Sequence, residues 1–120
     1  MKKDMKAYLI DVAAETVTEV PYNGDYQTMY PLLKCSTFTT ATPRGLKGRD
    51  TIFVDDEGLL TLTSASKFFL FEGYPQPLVG NGLVMGCNAA GESTSPKTPL
   101  EYVKSKVKFL TLEQARAIAS

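Results

Sequence analysis

Histidine is absent from the chain, and this absence excludes more chemistry than any other feature of the composition. Without an imidazole, the chain cannot form Ser-His-Asp or Cys-His catalytic sites, an HExxH zinc site or a zinc deaminase centre with a histidine ligand. General acid or base catalysis would depend on Asp, Glu, Lys, Tyr or Cys, and no nucleophile in the sequence is paired with an evident base. The sequence therefore predicts a protein that is not an enzyme and uses no cofactor.

The chain also has few cysteines and no formal net charge. Cys35 and Cys87 are too few for a disulfide scaffold and lack CxxC spacing, which predicts reduced thiols in an intracellular protein. Thirteen Lys and Arg residues balance thirteen Asp and Glu residues, which disfavours a duplex DNA binder because such proteins gain affinity by neutralising phosphates. The apolar run near the N-terminus is too short for a signal sequence or a membrane span. We expect a soluble, cytoplasmic protein in which a local cluster of cations holds any anionic ligand.

The length of 120 residues and the hydrophobic content of 43% predict one globular domain over residues 1–120. A short helix is predicted within 23–35, limited by Pro31, and capping-box letters at Thr98–Glu101 and Thr111–Gln114 predict two more helix starts. The segment 43–50 reads as a loop. Alternating or β-branched segments predict strands at 6–12, 16–22, 35–42, 51–54, 59–63, 68–71, 83–85 and 106–110.

These elements predict an α+β fold: a mostly antiparallel sheet of hairpins, with two or three short helices covering one face. The run from Phe68 to Phe71 is the most strongly β-prone in the chain and is expected to be a central strand. Phe69 and Phe71 should point to one face of it, and Phe68 and Leu70 to the other.

The glycine-bearing segment from Gly80 to Gly86 resembles a phosphate-binding loop only superficially. It lacks the lysine and the following helix of such loops, so a tight turn into a strand is favoured. Asn81 follows Phe71 and Tyr74, and its amide can offer both a donor and an acceptor to the edge of a base. An aromatic face with such an amide is the outline of a purine site.

Charged residues concentrate in three places. Arg44, Lys47 and Arg49 share one loop, while the lysines at 104, 106 and 108, if extended, fall on one face of the last strand. These cations either flank an aromatic floor and bind phosphate or form a solvated face opposite the core, and the sequence leaves both interpretations open. The acidic turn at 55–57 is typical of a solubilised hairpin tip rather than a metal site.

Four segments carry a resemblance to a known family: KAYLIDV at 6–12, DTIFVDDEGLL at 50–60, FEGYPQPLVGNGLVMG at 71–86 and GESTSPKTPLEYVKSKVKFL at 91–110. Together they resemble small phage proteins of the first-described Thoeris anti-defence sponge family, which binds cyclic ADP-ribose-type immune signals without cleaving them. The resemblance implies a homo-oligomer that sequesters a cyclic ADP-ribose isomer, with cyclic di- or trinucleotides as further ligands at separate sites.

The resemblance also implies roles for individual residues. It places an adenine-stacking aromatic at Phe71, a polar partner at Asn81 and a phosphate contact at Arg44 or Arg49. The C-terminal part of the motif carries lysines where such sponges have arginine, and lysine keeps the charge but loses bidentate geometry. The residues predicted to bind the ligand are Arg44, Arg49, Phe71, Tyr74, Asn81, Lys97, Lys104 and Lys106.

The resemblance thus implies a phage anti-defence sponge that acts in the host cytoplasm, and the composition predicts that it contacts neither a membrane nor duplex nucleic acid. The alternative is a phage protein that inhibits a host protein by direct binding through the same apolar and aromatic surface. A nucleotide-cleaving enzyme differs from both because it would return an altered product.

Overall fold

The computed structural model of the protein describes residues 5–22, 27, 29–33, 37–55 and 66–119. They form a single α+β domain of mostly antiparallel sheet with three short helices, which confirms the predicted fold class. In chain order, the elements are β1 (Met5–Asp11), β2 (Thr16–Tyr22), α1 (Met29–Leu33), β3 (Phe38–Ala41), β4 (Thr51–Asp55), β5 (Lys67–Phe71), β6 (Leu78–Val79), β7 (Gly82–Cys87), β8 (Ser93–Thr94), α2 (Leu100–Lys106), β9 (Val107–Thr111) and α3 (Leu112–Ala119).

The larger sheet has the order β2-β1-β7-β4-β3, with β8 paired to the end of β7. The β1–β2 hairpin is confirmed and pairs Asp11 with Thr16 at its tip. Strand β7 lies between β1 and β4, and its residues 82–86 are all buried, as expected for a strand with neighbours on both edges. The predicted hairpin from 51–54 into 59–63 falls largely outside the described residues; in the part that the structure describes, β4 pairs with β3 and β7.

The smaller sheet has the order β6-β5-β9, so the prediction that 68–71 forms a central strand is confirmed. Phe69 and Phe71 join the main core cluster with Ile52 and Val84, whereas Phe68 packs with Ala115 of α3. The alternation of this strand therefore places one pair of aromatics between the two sheets and turns the other face towards α3.

The helices do not cover one face, and that prediction is wrong. Leu33 of α1 packs with Leu83 of β7, whereas Val103 of α2 packs with Val84. Because successive residues of a strand point to opposite faces, α1 and α2 lie on opposite sides of the larger sheet. Within the described residues, no helix is both long and apolar enough to cross a membrane.

The two predicted capping boxes differ in outcome. At α3, the Gln114 N–H donates to Thr111 Oγ1 at 3.2 Å and the Thr111 N–H donates to Gln114 Oε1 at 2.9 Å, which confirms the reciprocal box. At α2, Pro99 is the N-cap rather than the first helical residue, and no side chain caps the helix. The predicted capping box does not form at α2, because Thr98 Oγ1 accepts the Lys47 N–H at 2.8 Å instead.

Candidate functional site

An open groove of about 330 Å³ runs along edge strand β3 of the larger sheet, between that sheet, the β5–β6 region and α3. Its walls are mainly apolar, and Tyr74 is the one residue among those predicted to bind ligand that lines it. This volume falls at the low end of the range of roughly 300–1,000 Å³ for ligand pockets. The lining residues are Thr39, Thr40, Ala41, Val54, Asp55, Phe68, Tyr74, Gln76, Pro77, Leu78, Val79, Leu112, Ala115 and Arg116.

The groove has two charged residues in its lining, one acidic and one basic. Asp55 and Arg116 belong to the lining, and Arg116 stands in the last turn of α3 on an exposed part of the helix. Arg44 is close by, because its N–H donates to the Gly73 carbonyl oxygen at 3.2 Å, next to Tyr74. An apolar slot with an aromatic wall and the Arg116 side chain in its lining can accept a planar ring joined to an anionic group.

Phe71 and Asn81 do not form the predicted purine pair, although Asn81 lines a second open cavity of about 320 Å³ with Val12 and Gly80. Phe71 is fully buried between the sheets, so neither face of its ring can stack on a base. The amide of Asn81 is occupied: Oδ1 accepts the Val12 N–H at 3.1 Å and Nδ2 donates to the Leu32 carbonyl oxygen at 3.0 Å. We therefore correct both assignments: Phe71 fills the core, and Asn81 ties the start of β7 to the end of β1 and to α1. The turn that carries Asn81 leads into strand β7 as predicted, with Gly80 at φ 77°.

Two of the predicted lysines also have other partners. Lys104 and Lys106 lie in α2 rather than in an extended strand, which corrects the expectation of a single lysine face. Lys106 Nζ lies 3.2 Å from Glu72 Oε2 and 5.4 Å from the ring centroid of Tyr102. Lys104 Nζ lies 4.0 Å from Glu101 Oε1. Their charges are compensated within the chain.

The remaining predicted cations gather around the loop 43–50. The ion pairs in the described part of the chain are Lys6–Glu19, Lys104–Glu101 and Lys106–Glu72. Arg44, Arg49 and Lys97 are exposed and take part in none of them. The structure thus separates Arg44, which is near the groove, from Arg49 and Lys97, which lie towards the start of α2.

A buried polar network fixes this loop. Asp50 is 2% exposed, and its two carboxylate oxygens accept the N–H groups of Lys97 at 3.0 Å and Thr98 at 2.7 Å. The Thr98 carbonyl oxygen accepts the hydroxyl of Tyr8 at 2.7 Å. Burial, with smaller contributions from the charges of Glu19 and Asp50, raises the pKa of the Tyr8 hydroxyl. The network joins β1, the loop and the segment before α2.

The sequence alone predicts neither the groove nor this hydrogen-bond network. Leu78, Leu112 and Arg116 meet only because α3 folds back on the smaller sheet, and no spacing in the sequence indicates that contact. The described residues contain no group of three Cys, Asp or Glu side chains placed to hold a metal ion. Cys87 is a half-buried free thiol, while Cys35 and the acidic residues 56 and 57 lie outside the described residues.

A family model described as a domain of unknown function, DUF3846, matches residues 5–108. The chain belongs to the DUF3846 family. The match covers the strands β1 to β8, the helices α1 and α2 and the start of β9, so α3 lies beyond the matched residues. No curated protein and no solved structure matches the chain. The DUF3846 part supplies most of the groove, and α3 supplies Leu112, Ala115 and Arg116.

Proposed function

We propose that this protein is a non-catalytic binding protein that captures a nucleotide-type small molecule, of the cyclic ADP-ribose class that the sequence resemblance implies. The observation that carries the proposal is the apolar groove with Tyr74 and Arg116 in its lining and the backbone of Arg44 bonded to Gly73, the neighbour of Tyr74. In the setting of a phage infection, such a protein would act as a sponge that lowers the free concentration of the host's signal. No bond in the ligand needs to be made or broken.

The groove suits the base of such a ligand. Tyr74 is half-buried and packs against the main core, so its ring position is fixed while one part remains accessible from the groove. Stacking of a base on an aromatic side chain contributes roughly 1–3 kcal/mol. Leu78 and Leu112 add apolar area that a base would cover. The base is therefore the part of the ligand that we place in the groove.

The arginines suit the pyrophosphate. Arg116 lines the groove, and Arg44 lies beside Tyr74 through its contact with Gly73. A guanidinium group can form two parallel hydrogen bonds with a phosphate, which positions the anion as well as attracting it. Because neither arginine forms an ion pair with a described carboxylate, neither has to give up such a partner on binding.

A second copy of the chain completes the enclosure in this proposal. The groove is open and its volume of about 330 Å³ matches a base better than a whole dinucleotide. A ligand that stays largely exposed would dissociate too readily to be denied to a receptor. We therefore propose a homo-oligomer in which the groove of one protomer is closed by its partner.

The test is capture followed by heat release. Purified protein is incubated with cyclic ADP-ribose isomers and separated from free ligand by filtration. The protein is then denatured by heat, and the released material is identified by chromatography. A sponge returns the intact isomer in an amount comparable to the protein. An altered product would establish an enzyme instead, and no recovered nucleotide from any isomer would remove the proposal in favour of the protein-binding alternative.

Two variants locate the site. Tyr74→Ala should weaken capture about tenfold or more, since it removes the stacking surface. Tyr30→Ala is its matched control because it also removes a half-buried ring, which packs on Phe38 at a centroid distance of 5.2 Å; neither Tyr30 nor Phe38 lines the groove. Arg116→Gln should weaken capture by a similar factor, whereas Lys108→Gln removes the same charge from an exposed position on β9 and should not. If each variant weakens capture only as much as its control does, the groove is not the ligand-binding site.

A further inference from the structure

We infer that the turn from Lys47 to Arg49, together with Lys97, is a separate binding site for a compact oligophosphate such as inorganic pyrophosphate. The site lies on the loop between β3 and β4 and against the segment that precedes α2. It shares no residue with the groove, so the inference does not depend on the proposed nucleotide.

The cationic residues of this site lie on two backbone segments that meet at Gly48. Gly48 lies between Lys47 and Arg49, and the side chain of Lys97 crosses directly over it. A Cβ on Gly48 would lie 3.0 Å from Lys97 Cδ and 3.8 Å from Lys97 Nζ. Lys47 and Arg49, as the chain neighbours of Gly48, and the side chain of Lys97 therefore belong to one turn-sized patch, which suits a small, multiply charged anion better than an extended strand.

The backbone of the turn is held in place before any ligand arrives. Asp50 anchors it to the Lys97 and Thr98 N–H groups, the Lys47 N–H donates to Thr98 Oγ1, and the Asp50 N–H donates to the Lys47 carbonyl oxygen at 3.1 Å. Binding to such a site does not require the loop to become ordered, so less of the interaction free energy is lost.

Donors in the turn remain unused within the described chain. The N–H groups of Gly48 and Arg49 donate to no acceptor in the described residues, and Gly48 has the left-handed φ of 56°. Successive N–H groups beside a left-handed residue form the concave backbone that binds phosphate oxygens in many proteins. Lys47, Arg49 and Lys97 form no ion pair with a described carboxylate. In a chain with a formal net charge of zero, this is a local excess of positive charge.

The experiment is isothermal titration of the full chain with inorganic pyrophosphate at low and moderate salt. We expect saturable binding with a dissociation constant below about 1 mM at low salt, weakening as salt is added. Arg49→Gln and Lys97→Gln should each weaken binding about tenfold. Lys108→Gln, with the same loss of charge on the exposed face of β9, should leave the dissociation constant within about twofold. Thermal unfolding of each variant confirms that it is folded.

A variant that removes no charge provides an independent check. Gly48→Ala places a methyl group against Lys97 Cδ in a backbone conformation that alanine disfavours, so it should weaken pyrophosphate binding about threefold or more by displacing the lysine. An equal loss in Lys108→Gln and Lys97→Gln would overturn the inference, because the attraction would then be general. Tighter binding of a short single-stranded oligonucleotide than of pyrophosphate, or no saturable binding of pyrophosphate, would overturn it as well. Inorganic pyrophosphate can also bind the arginines beside the groove, so the losses in Arg49→Gln and Lys97→Gln, rather than binding alone, distinguish this site from nucleotide capture.

Discussion

The substitution Asp50→Asn should destabilise the protein strongly, although it changes only one atom of the side chain. Each carboxylate oxygen of Asp50 accepts a different backbone N–H, from Lys97 at 3.0 Å and from Thr98 at 2.7 Å. Asparagine has one acceptor oxygen, so its NH₂ group must face a backbone donor at a site that is 2% exposed. Losing a hydrogen bond to a charged group costs about 1.5–3 kcal/mol, and a buried donor without an acceptor adds about 1 kcal/mol or more.

Removing the buried charge offsets part of this loss, so we expect the free energy of unfolding to fall by about 3 kcal/mol. For a chain of this length, that corresponds to a decrease in Tm of roughly 10 °C. Urea unfolding followed by far-ultraviolet circular dichroism measures the free energy directly and suits a protein without tryptophan.

Asp11→Asn is the matched control. One oxygen of Asp11, Oδ1, accepts both the Ala13 and the Ala14 N–H groups at 3.0 and 3.1 Å, in an exposed turn. Asparagine keeps that oxygen, so this variant should lose less than about 0.5 kcal/mol. Equal losses for the two variants, or a loss at Asp50 below about 1 kcal/mol, would refute the role of Asp50 as a buried two-donor anchor.

Three further outcomes follow from the same contacts. Asn81→Ala should lower the free energy of unfolding by about 2–3 kcal/mol, measured in urea, because two backbone groups lose their buried partner; an unchanged stability would return this amide to the list of candidate ligand contacts. Thr111→Ala should cost about 1 kcal/mol in the same assay by removing the cap of α3, whereas a neutral effect would show that the cap is replaced by water. The raised pKa of Tyr8 means that the folded state holds this proton more tightly than the unfolded state, so stability is present below about pH 10 and is lost as the pH rises through the folded pKa. Tyr8→Phe should reduce that alkaline loss while costing about 1 kcal/mol at neutral pH through the bond to Thr98, and an identical pH profile would contradict this.

Local patterns predicted much of the fold. Alternation in 16–22 and 68–71 indicated the strands β2 and β5, and the predicted split of Phe69 and Phe71 from Phe68 and Leu70 is confirmed by their separate core clusters. The letters of Thr111–Gln114 indicated a helix start that is stabilised by reciprocal bonds. These features depend on neighbours within a few residues, which is why the sequence reveals them.

Features that depend on distant partners were not predictable in this way. The letters at Thr98–Glu101 matched a capping box, but the threonine hydroxyl binds the N–H of Lys47, 51 residues away in sequence. Asn81 looked like a ligand contact because its amide is versatile, and that same versatility lets it join two elements of the core. The groove likewise arises only when α3 packs on the smaller sheet.

The measurement that tests the central claim most directly is the change in backbone amide NMR shifts when a cyclic ADP-ribose isomer is titrated into the labelled protein. We expect saturable shifts concentrated at the groove, in the amides of residues 74, 76, 78 and 79 of the β5–β6 region and of residues 112–116 of α3. Saturating concentrations of each isomer that leave these amides unmoved, or that shift only amides on the opposite side of the larger sheet around α1, would contradict it.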